Sequence, residues 1–411
     1  IYSYFYEQGH NLLKINGLFS MITSNKFMRT NYGEPLRNFI SDDLTLLRII
    51  DFGELPVFEE ASTFPCIFLT RNCRTAKQQF EYFQVKELDP PKFLNMVMEG
   101  IKILDNRSIE GSNWSLADPI ELDIIDKMKE SGVKLDKYVD GNIYRGIVTG
   151  YNDAFVIDQE KRDELIEKDP NSKDIIKPFI SGDDVRFYRF KKLKNYLLFI
   201  PWHFPLHEDE TITGASKKSY NKFKENYPAI FEYLKGHKPG LKKRNKAETG
   251  KRYEWYALQR YGSTHYEYFE ESKILYPEIA KESRFTFDEK GEYYINKTIF
   301  MIPSDDKYLL GVLNSKVVWL FLKRICSSLG DPDAGGRLNL QRIYVSTVPI
   351  VDADKMIKKK IANLVDQILK AKENDSAADT SELEAEIDQL VYELYGLTKE
   401  EIEIVEGSQN Y

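Results

Sequence analysis

The 411-residue chain has only three cysteines and five histidines, and no two of its 23 glycines stand one residue apart. Each scarcity excludes something. Cys66, Cys73 and Cys326 form no CxxC pair, which argues against a zinc ribbon and a disulfide framework and fits free thiols in a reducing cytoplasm. Without a GxG there is no GxGxxG dinucleotide loop, and GxxxxGK[ST] and GxSxG are absent too. His203 and His207 are four apart, but Pro205 lies between them and the glutamate of HExxH is missing, so a turn is expected there and no metal. No apolar run nears the roughly 18 residues of a membrane span. A self-contained kinase, dehydrogenase or hydrolase finds no support. The chain begins with Ile1 and enters directly into Tyr2, Tyr4, Phe5 and Tyr6, which reads as a piece of something longer.

What is present falls into three stretches. Residues 1–105 alternate helix and strand, the pattern of an α/β layer. A helix is expected over 6–14 and a second over 25–41, with strands at 18–22, 46–52 and 66–71. Residues 106–348 carry short aromatic strands between Gly, Asn and Pro turns, as in 144–157, 273–279 and 293–302, and read as an irregular α+β domain. Residues 349–411 form a helical hairpin. Ile357, Ile361, Leu364, Val365 and Ile368 make one apolar stripe, and Leu383, Ile387, Leu390, Val391 and Leu394 make another. Ser381-x-x-Glu384 and Thr398-x-x-Glu401 have the form of capping boxes. Packing of the stripes onto the chain itself is the favoured reading; a coiled coil with a partner is the other, and neither stripe lasts three heptads.

Charge is unevenly spread. The tail from 349 has seven lysines against fifteen acids, so the net −7 of the whole chain hides a remainder of +1. Two stretches of the middle region are basic and rich in aromatics. Arg186–Lys194 has five basic residues and no acid, and Lys235–Arg260 has nine basic residues and two acids. Lysine and arginine neutralise nucleic-acid phosphates and release condensed counterions, while aromatics and amides can meet bases. A solvated surface with aromatics turned inward has the same composition.

Ordered strings narrow the choice. Leu12-Leu13-Lys14-x-x-Gly17-Leu18-x-x-x-Ile22-x-x-x-Lys26-Phe27 is followed by Leu36-Arg37-x-Phe39-Ile40, Ile49-Ile50-Asp51-Phe52 and Val57-Phe58-x-x-Ala61-x-Thr63. This run resembles the later half of a gamma-class N6-adenine DNA methyltransferase of the type IIG restriction–modification and phage-defence kind. Gly146-Ile147-x-Thr149-Gly150-x-Asn152-x-Ala154-Phe155, Trp255-Tyr256-x-Leu258-Gln259-Arg260, Lys273-Ile274-x-Tyr276-Pro277-Glu278, Leu313-Asn314-Ser315 and Val348-Pro349-Ile350 resemble the TaqI-like C-terminal specificity domain of those enzymes. Glu386-Ile387-Asp388 through Thr398 is similar to their C-terminal helices.

The resemblance implies a fold and a division of labour. Residues 1–105 would be the C-terminal part of the catalytic domain, half of a Rossmann-like methyltransferase sheet. Residues 106–348 would be the target-recognition domain and 349–411 the closing hairpin. The intact parent would transfer methyl from S-adenosylmethionine to N6 of a flipped adenine in double-stranded DNA. The family's glycine-rich cofactor loop and its (Asn/Asp/Ser)-Pro-Pro-(Tyr/Phe) motif both precede the point at which this chain begins. Asp89-Pro90-Pro91-Lys92-Phe93 has lysine in place of the aromatic and stands in the wrong order, so a turn is expected there. The chain is therefore expected to bind no cofactor by itself and to need the missing N-terminal part of the methyltransferase.

By motif order Phe58 matches the position that stacks on the flipped base; a core phenylalanine beside Leu55 and Val57 is the alternative. Lys26 and Arg37 are candidates for phosphate or for the active-site rim, or are plain surface charge. Arg186, Arg189, Lys191, Lys192, Lys242, Lys243, Arg244, Lys246, Lys251 and Arg252 are candidates for DNA-backbone contacts. Tyr151, Asn152, Trp255, Gln259 and Arg260 are candidates for DNA-facing positions, although Trp255 and Tyr256 fit a core equally well. Gly146, Gly150 and Asn314 read as turn-formers. A scaffold subunit of a multisubunit defence complex, docking partners through its helical tail, is the alternative function.

Overall fold

The structure, a computed structural model, describes every residue except 1, 29, 54, 59–63, 76–78, 110–113, 115, 117, 330–334 and 409–411. Among the described residues no helix is long and apolar enough to cross a membrane.

The first stretch forms α1 (Tyr2–Asn11), β1 (Leu18–Ser24), α2 (Glu34–Asp43), β2 (Thr45–Asp51), β3 (Pro65–Arg71), β4 (Gln79–Gln84), α3 (Phe93–Gly100) and β5 (Lys102–Asp105). The strands make one sheet in the order β1-β3-β2-β4-β5. Only β2 and β4 run parallel; β1–β3, β2–β3 and β4–β5 are antiparallel. The expected helix over 25–41 does not form. Two 3₁₀ turns, Asn25–Met28 and Asn31–Gly33, precede a helix that starts only at Glu34. Pro35 lacks an N–H and is tolerated only in a helix's first turn, which fixes the start. The 89–92 segment is a turn leading into α3, with Lys92 N–H donating to Asp89 O at 3.0 Å.

The middle stretch builds two four-stranded sheets. One runs Tyr294–Ile295, Ile176–Ile180, Asn195–Leu198, Val156–Asp158; the other runs Thr286–Asp288, Lys273–Pro277, Ile299–Pro303, Tyr144–Arg145. The second sheet is a partition. Side chains alternate across a strand, so Ile274 and Tyr276 enter one hydrophobic core while Leu275 enters another. Phe300 and Ile302 take the first side, Ile299 and Met301 the second. All five residues of Lys273–Pro277 are therefore buried.

The tail belongs to the first of these cores. Its helices are Lys355–Asn374, Ser381–Leu394 and a third, Lys399–Gly407. Ile361, Leu364, Val365, Ile368, Ile387 and Val391 are buried with Leu309, Leu313 and Leu322 of the preceding helices. Residues on both sides of 348/349 thus share one interior. Strand Pro349–Val351 pairs with Gly132–Lys134, and Lys127 Nζ lies 2.7 Å from Glu401 Oε2. Thr398 and Glu401 form the expected capping box; at the other helix the cap is Thr380, not Ser381, and its hydroxyl donates to the Glu384 carboxylate.

Lys273 and Asp288, both inaccessible, form an ion pair of 2.6 Å at the end of the partition sheet. Lys273 Nζ also donates to Phe269 O and Glu271 O, and Asp288 accepts the N–H groups of Glu292 and Tyr293. Removing one partner strands the other charge in a dry interior. Lys273→Met is expected to lower stability by about 3–5 kcal/mol, read by urea denaturation. Burial at the tail interface raises the Asp388 carboxyl to about 6, against the opposing pull of Lys316. The native state then holds that proton more tightly than the unfolded chain, whose aspartate titrates near about 3.9. This contribution to stability is complete below the unfolded value and is lost as pH rises through about 6. Asp388→Asn should flatten that limb of a melting-temperature–pH curve.

Candidate nucleic-acid interface

The sequence candidates separate into three places. The first lies where β1 and β2 end and β3 begins. Asn25 Nδ2 donates to Asp51 Oδ1 at 2.8 Å, Gly53 N–H donates to the same oxygen at 2.9 Å, and Asn25 N–H donates to Phe64 O at 2.7 Å. The Lys26 ammonium sits 4.5 Å from the centre of the Phe64 ring. Phe58 follows Val57, whose N–H donates to Leu55 O at 2.8 Å, and is 46% exposed. Its ring is outside the core that takes Leu55 and Val57 at its margin. Ala61 and Thr63 of the same string lie outside the described residues.

Arg37 is a correction. It is 1% exposed, and its Nη1 donates to Phe27 O at 2.5 Å and Thr30 O at 2.7 Å. The guanidinium thus closes the 25–33 turns, where Thr30 O also accepts the Gly33 N–H at 3.0 Å, and is not offered to phosphate.

The second place is organised by Arg244, which is also corrected. It is 8% exposed, among the aromatic rings of Phe155 and Tyr253. Its guanidinium donates to Thr149 O, Trp255 O, Ala257 O and Leu241 O at 2.8, 2.8, 2.9 and 3.1 Å. Burial pulls its pKa down to about 10. One side chain thus ties together the 149–150 turn, helix Lys238–Lys243 and the 253–258 segment. Gly150 has φ +77°, and a Cβ there would stand 2.4 Å from Gln259 Oε1, so both backbone and space require glycine. Tyr151 packs on Gly240, where a Cβ would meet its ring at 2.8 Å. Asn152 is exposed and accepts the Thr149 hydroxyl at 2.6 Å. Trp255 is buried with Tyr256 and belongs to the core, which removes it from the DNA-facing set.

Around this hub the lysines point outward. Lys242, Lys243, Lys246 and Lys251 are exposed and form no ion pair with any described residue. Arg252 and Arg260 are held by one acid, Glu248, at 3.1 and 2.8 Å. Their guanidinium carbons lie 4.7 and 5.8 Å from the ring of Trp202, on which Tyr253 stacks at 4.9 Å. Trp202 escaped the sequence reading because it stands more than forty residues away, beside the histidine turn. There His203 meets Glu254 at 3.2 Å, and among the described residues no three His, Cys, Asp or Glu side chains could hold a metal ion.

The third place is the hairpin Val185–Arg186/Arg189–Phe190, with Lys191 and Lys192 exposed just beyond it. It packs on the partition sheet and against the tail helix Lys355–Asn374.

The comparisons follow the same division. A family model described as an Eco57I restriction-modification methylase matches residues 1–58, and one described as a TaqI-like C-terminal specificity domain matches residues 177–350. Residues 1–58 are thus similar to a restriction–modification methylase and residues 177–350 to a TaqI-like specificity domain. The type II methyltransferase M.BanIII of Aneurinibacillus aneurinilyticus is 24% identical to it, over 94% of this chain and 69% of that protein. The type II restriction enzyme and methyltransferase RM.Eco57I of Escherichia coli is also 24% identical, over 89% of this chain and 38% of that protein. The solved structure of the type IIL restriction-modification enzyme MmeI in complex with DNA has the same fold, with a TM-score of 0.60 at 13% identity. It covers 100% of this chain, which spans 52% of that one, about half its length. The specificity-domain match contains Arg244, its neighbouring lysines and the Arg186–Arg189 hairpin, while the 149–152 turn that Arg244 ties in precedes it.

Buried and exposed cations should behave oppositely. Arg244→Lys loses most of four carbonyl contacts and should cost about 1.5–3 kcal/mol of stability, the range for hydrogen bonds to a charged group. Lys242→Ala and Lys243→Ala should each stay within about 0.5 kcal/mol of the parent chain. Chemical denaturation of the three variants measures the contrast.

Proposed function

We propose that this chain supplies DNA sequence recognition, together with part of the methyltransferase sheet, to an adenine-specific DNA methyltransferase of a restriction–modification system. The observation that carries the reading is the succession, in one chain, of a methylase-type segment and a TaqI-like specificity domain. The unpaired lysines beside the Arg244 hub support it. They are exposed, solvated cations beside a buried hydrogen-bonded hub, suited to tracking a phosphate backbone whatever its sequence.

In this reading the parent flips an adenine out of the stack, because N6 is unreachable inside a duplex, and methylates it from S-adenosylmethionine. Phe58 stacks on the extruded base, and its exposed ring suits that role better than a core position. Lys26 stands at the same end of the sheet. The chain's own sequence carries neither the glycine-rich cofactor loop nor the Pro-Pro motif, so its residues are assigned no part in holding the cofactor or in the transfer itself. The rest of the sheet adds at β1, whose outer edge pairs with no other strand among the described residues and exposes Leu18 and Ile22. The scaffold alternative loses its main support, since the tail's two apolar stripes are covered by the chain's own helices.

Binding to duplex DNA should be detectable at low salt and fall steeply as salt rises. A gel-shift series over random and genomic duplexes that shows no complex at low salt would sink the proposal. Lys242→Ala, Lys243→Ala and Lys246→Ala combined should weaken binding to every duplex alike, whereas loss on one sequence only would mean that these lysines read bases. In the intact parent Phe58→Ala should weaken capture of a duplex whose target adenine faces an abasic site by about 1–3 kcal/mol, the value of one base–aromatic stack.

A further inference from the structure

The hairpin at 185–190 is built against its own electrostatics. Arg186 and Arg189 are directly opposed across its two strands. Side chains of such a pair share one face, and like charges placed there repel. The Arg189 guanidinium makes no hydrogen bond or ion pair with any described residue. Arg186 has only backbone carbonyls, donating from Nη1 to Asp183 O at 2.9 Å and Val185 O at 2.7 Å. A third guanidinium is brought alongside, because Tyr188 N–H donates to Phe285 O at 3.3 Å and so docks the turn beside Arg284. Arg284 keeps one carboxylate, Glu282, at 2.9 Å. Two further acids lie near: Asp184 already accepts the N–H and hydroxyl of Ser181 at 2.8 Å each, and Asp183 forms no ion pair with these arginines.

The turn itself is held in a costly conformation. Tyr188 has φ +54°, a region where a bulky residue is an outlier and where hairpins ordinarily place Gly or Asn. Its ring is 2% exposed in the core, with Phe187 edge-on at 4.5 Å, so packing fixes the turn and with it the spacing of the two arginines. Burial, then Arg284 and Arg189, draw the Arg186 pKa downward, the mark of cations that feel one another.

We propose that Arg186, Arg189 and Arg284 form a clamp for a single oxyanion, a phosphate of the nucleic-acid backbone. Planar guanidinium forks match phosphate oxygens two at a time, and an anion between them turns mutual repulsion into shared attraction. The clamp rests on the DNA-binding reading above and adds to it Arg284 and an anchoring point distinct from the exposed lysines near Arg244.

Fluorescence anisotropy of a duplex with the full chain, over a salt series, tests it. Arg189→Ala and Arg284→Ala are each expected to weaken binding about 10-fold and to flatten the log–log salt slope by about one, the contribution of a single phosphate. The double variant should fall short of the product of the two, because both act on the same phosphate. Arg189→Lys, which keeps the charge and loses the fork, should lie between. Thermal melting should find Arg189→Ala at least as stable as the parent chain, since it relieves repulsion and breaks no bond; a lower Tm would mark the pair as structural and overturn the clamp. Unchanged affinity and slope in both Ala variants would overturn the clamp and leave the DNA reading standing. A parent chain that binds no duplex would end the DNA reading, and inorganic phosphate then decides the clamp. Thermal stabilisation by phosphate that vanishes in Arg189→Ala upholds an anion site, and equal stabilisation of both overturns it.

Discussion

One strand, Lys273–Pro277, is the wall on which the molecule's two largest cores meet, and the Lys273–Asp288 ion pair closes its end. A strand buried on both faces must satisfy its backbone within the sheet and any charge within a few ångströms. The ladders to Thr286–Asp288 and Ile299–Pro303 do the first, and the Asp288 carboxylate does the second. It neutralises Lys273 and accepts the backbone N–H groups of Glu292 and Tyr293, which positions the chain returning to the partition. On one side of that wall lie the helices that the tail completes; on the other lie the aromatic core and the Arg244 hub. Both basic candidate surfaces of the middle region are mounted on this single frame.

The charge pattern takes its meaning from the same frame. The tail's acids look like a solvated counterweight in sequence, yet several are structural. Asp388 accepts the N–H that begins helix Lys316–Ile325, Glu406 meets Lys316 at 2.5 Å, and Glu401 meets Lys127. The basic stretches also divide. Within Lys235–Arg260 the five-donor fork of Arg244 is drawn inside onto clustered carbonyls, while Lys242, Lys243, Lys246 and Lys251 stay in water. A run of mixed Lys and Arg therefore splits by chemistry into a buried organiser and an exposed rim.

Much of the α/β layer was legible in its sequence. Short apolar runs bounded by turn residues became β1, β2 and β3 within a residue or two, and Thr398 with Glu401 capped its helix as the motif requires. Failures have local physical causes. The helix expected over 25–41 ignored Pro35, and the tail was read as two helices because the third stripe, Ile402 and Val405, is short. Within the candidate interface, the reading could name basic and aromatic stretches but could not sort Trp255 from Trp202 or Arg244 from Lys243. Burial depends on which segments meet, and Trp202 meets Arg252 across fifty residues of chain.

The sequence by itself determined the order of the segments, the resemblance that each carries and the segregation of charge, because these are written in residue type and spacing. Only the tertiary structure decided which cations remain free. That outcome depends on where unpaired carbonyls and carboxylates end up in space, at distances of three ångströms between residues tens or hundreds apart. It is also what turned an ordinary run of arginines at 186–189 into a like-charged pair facing each other across a strained turn.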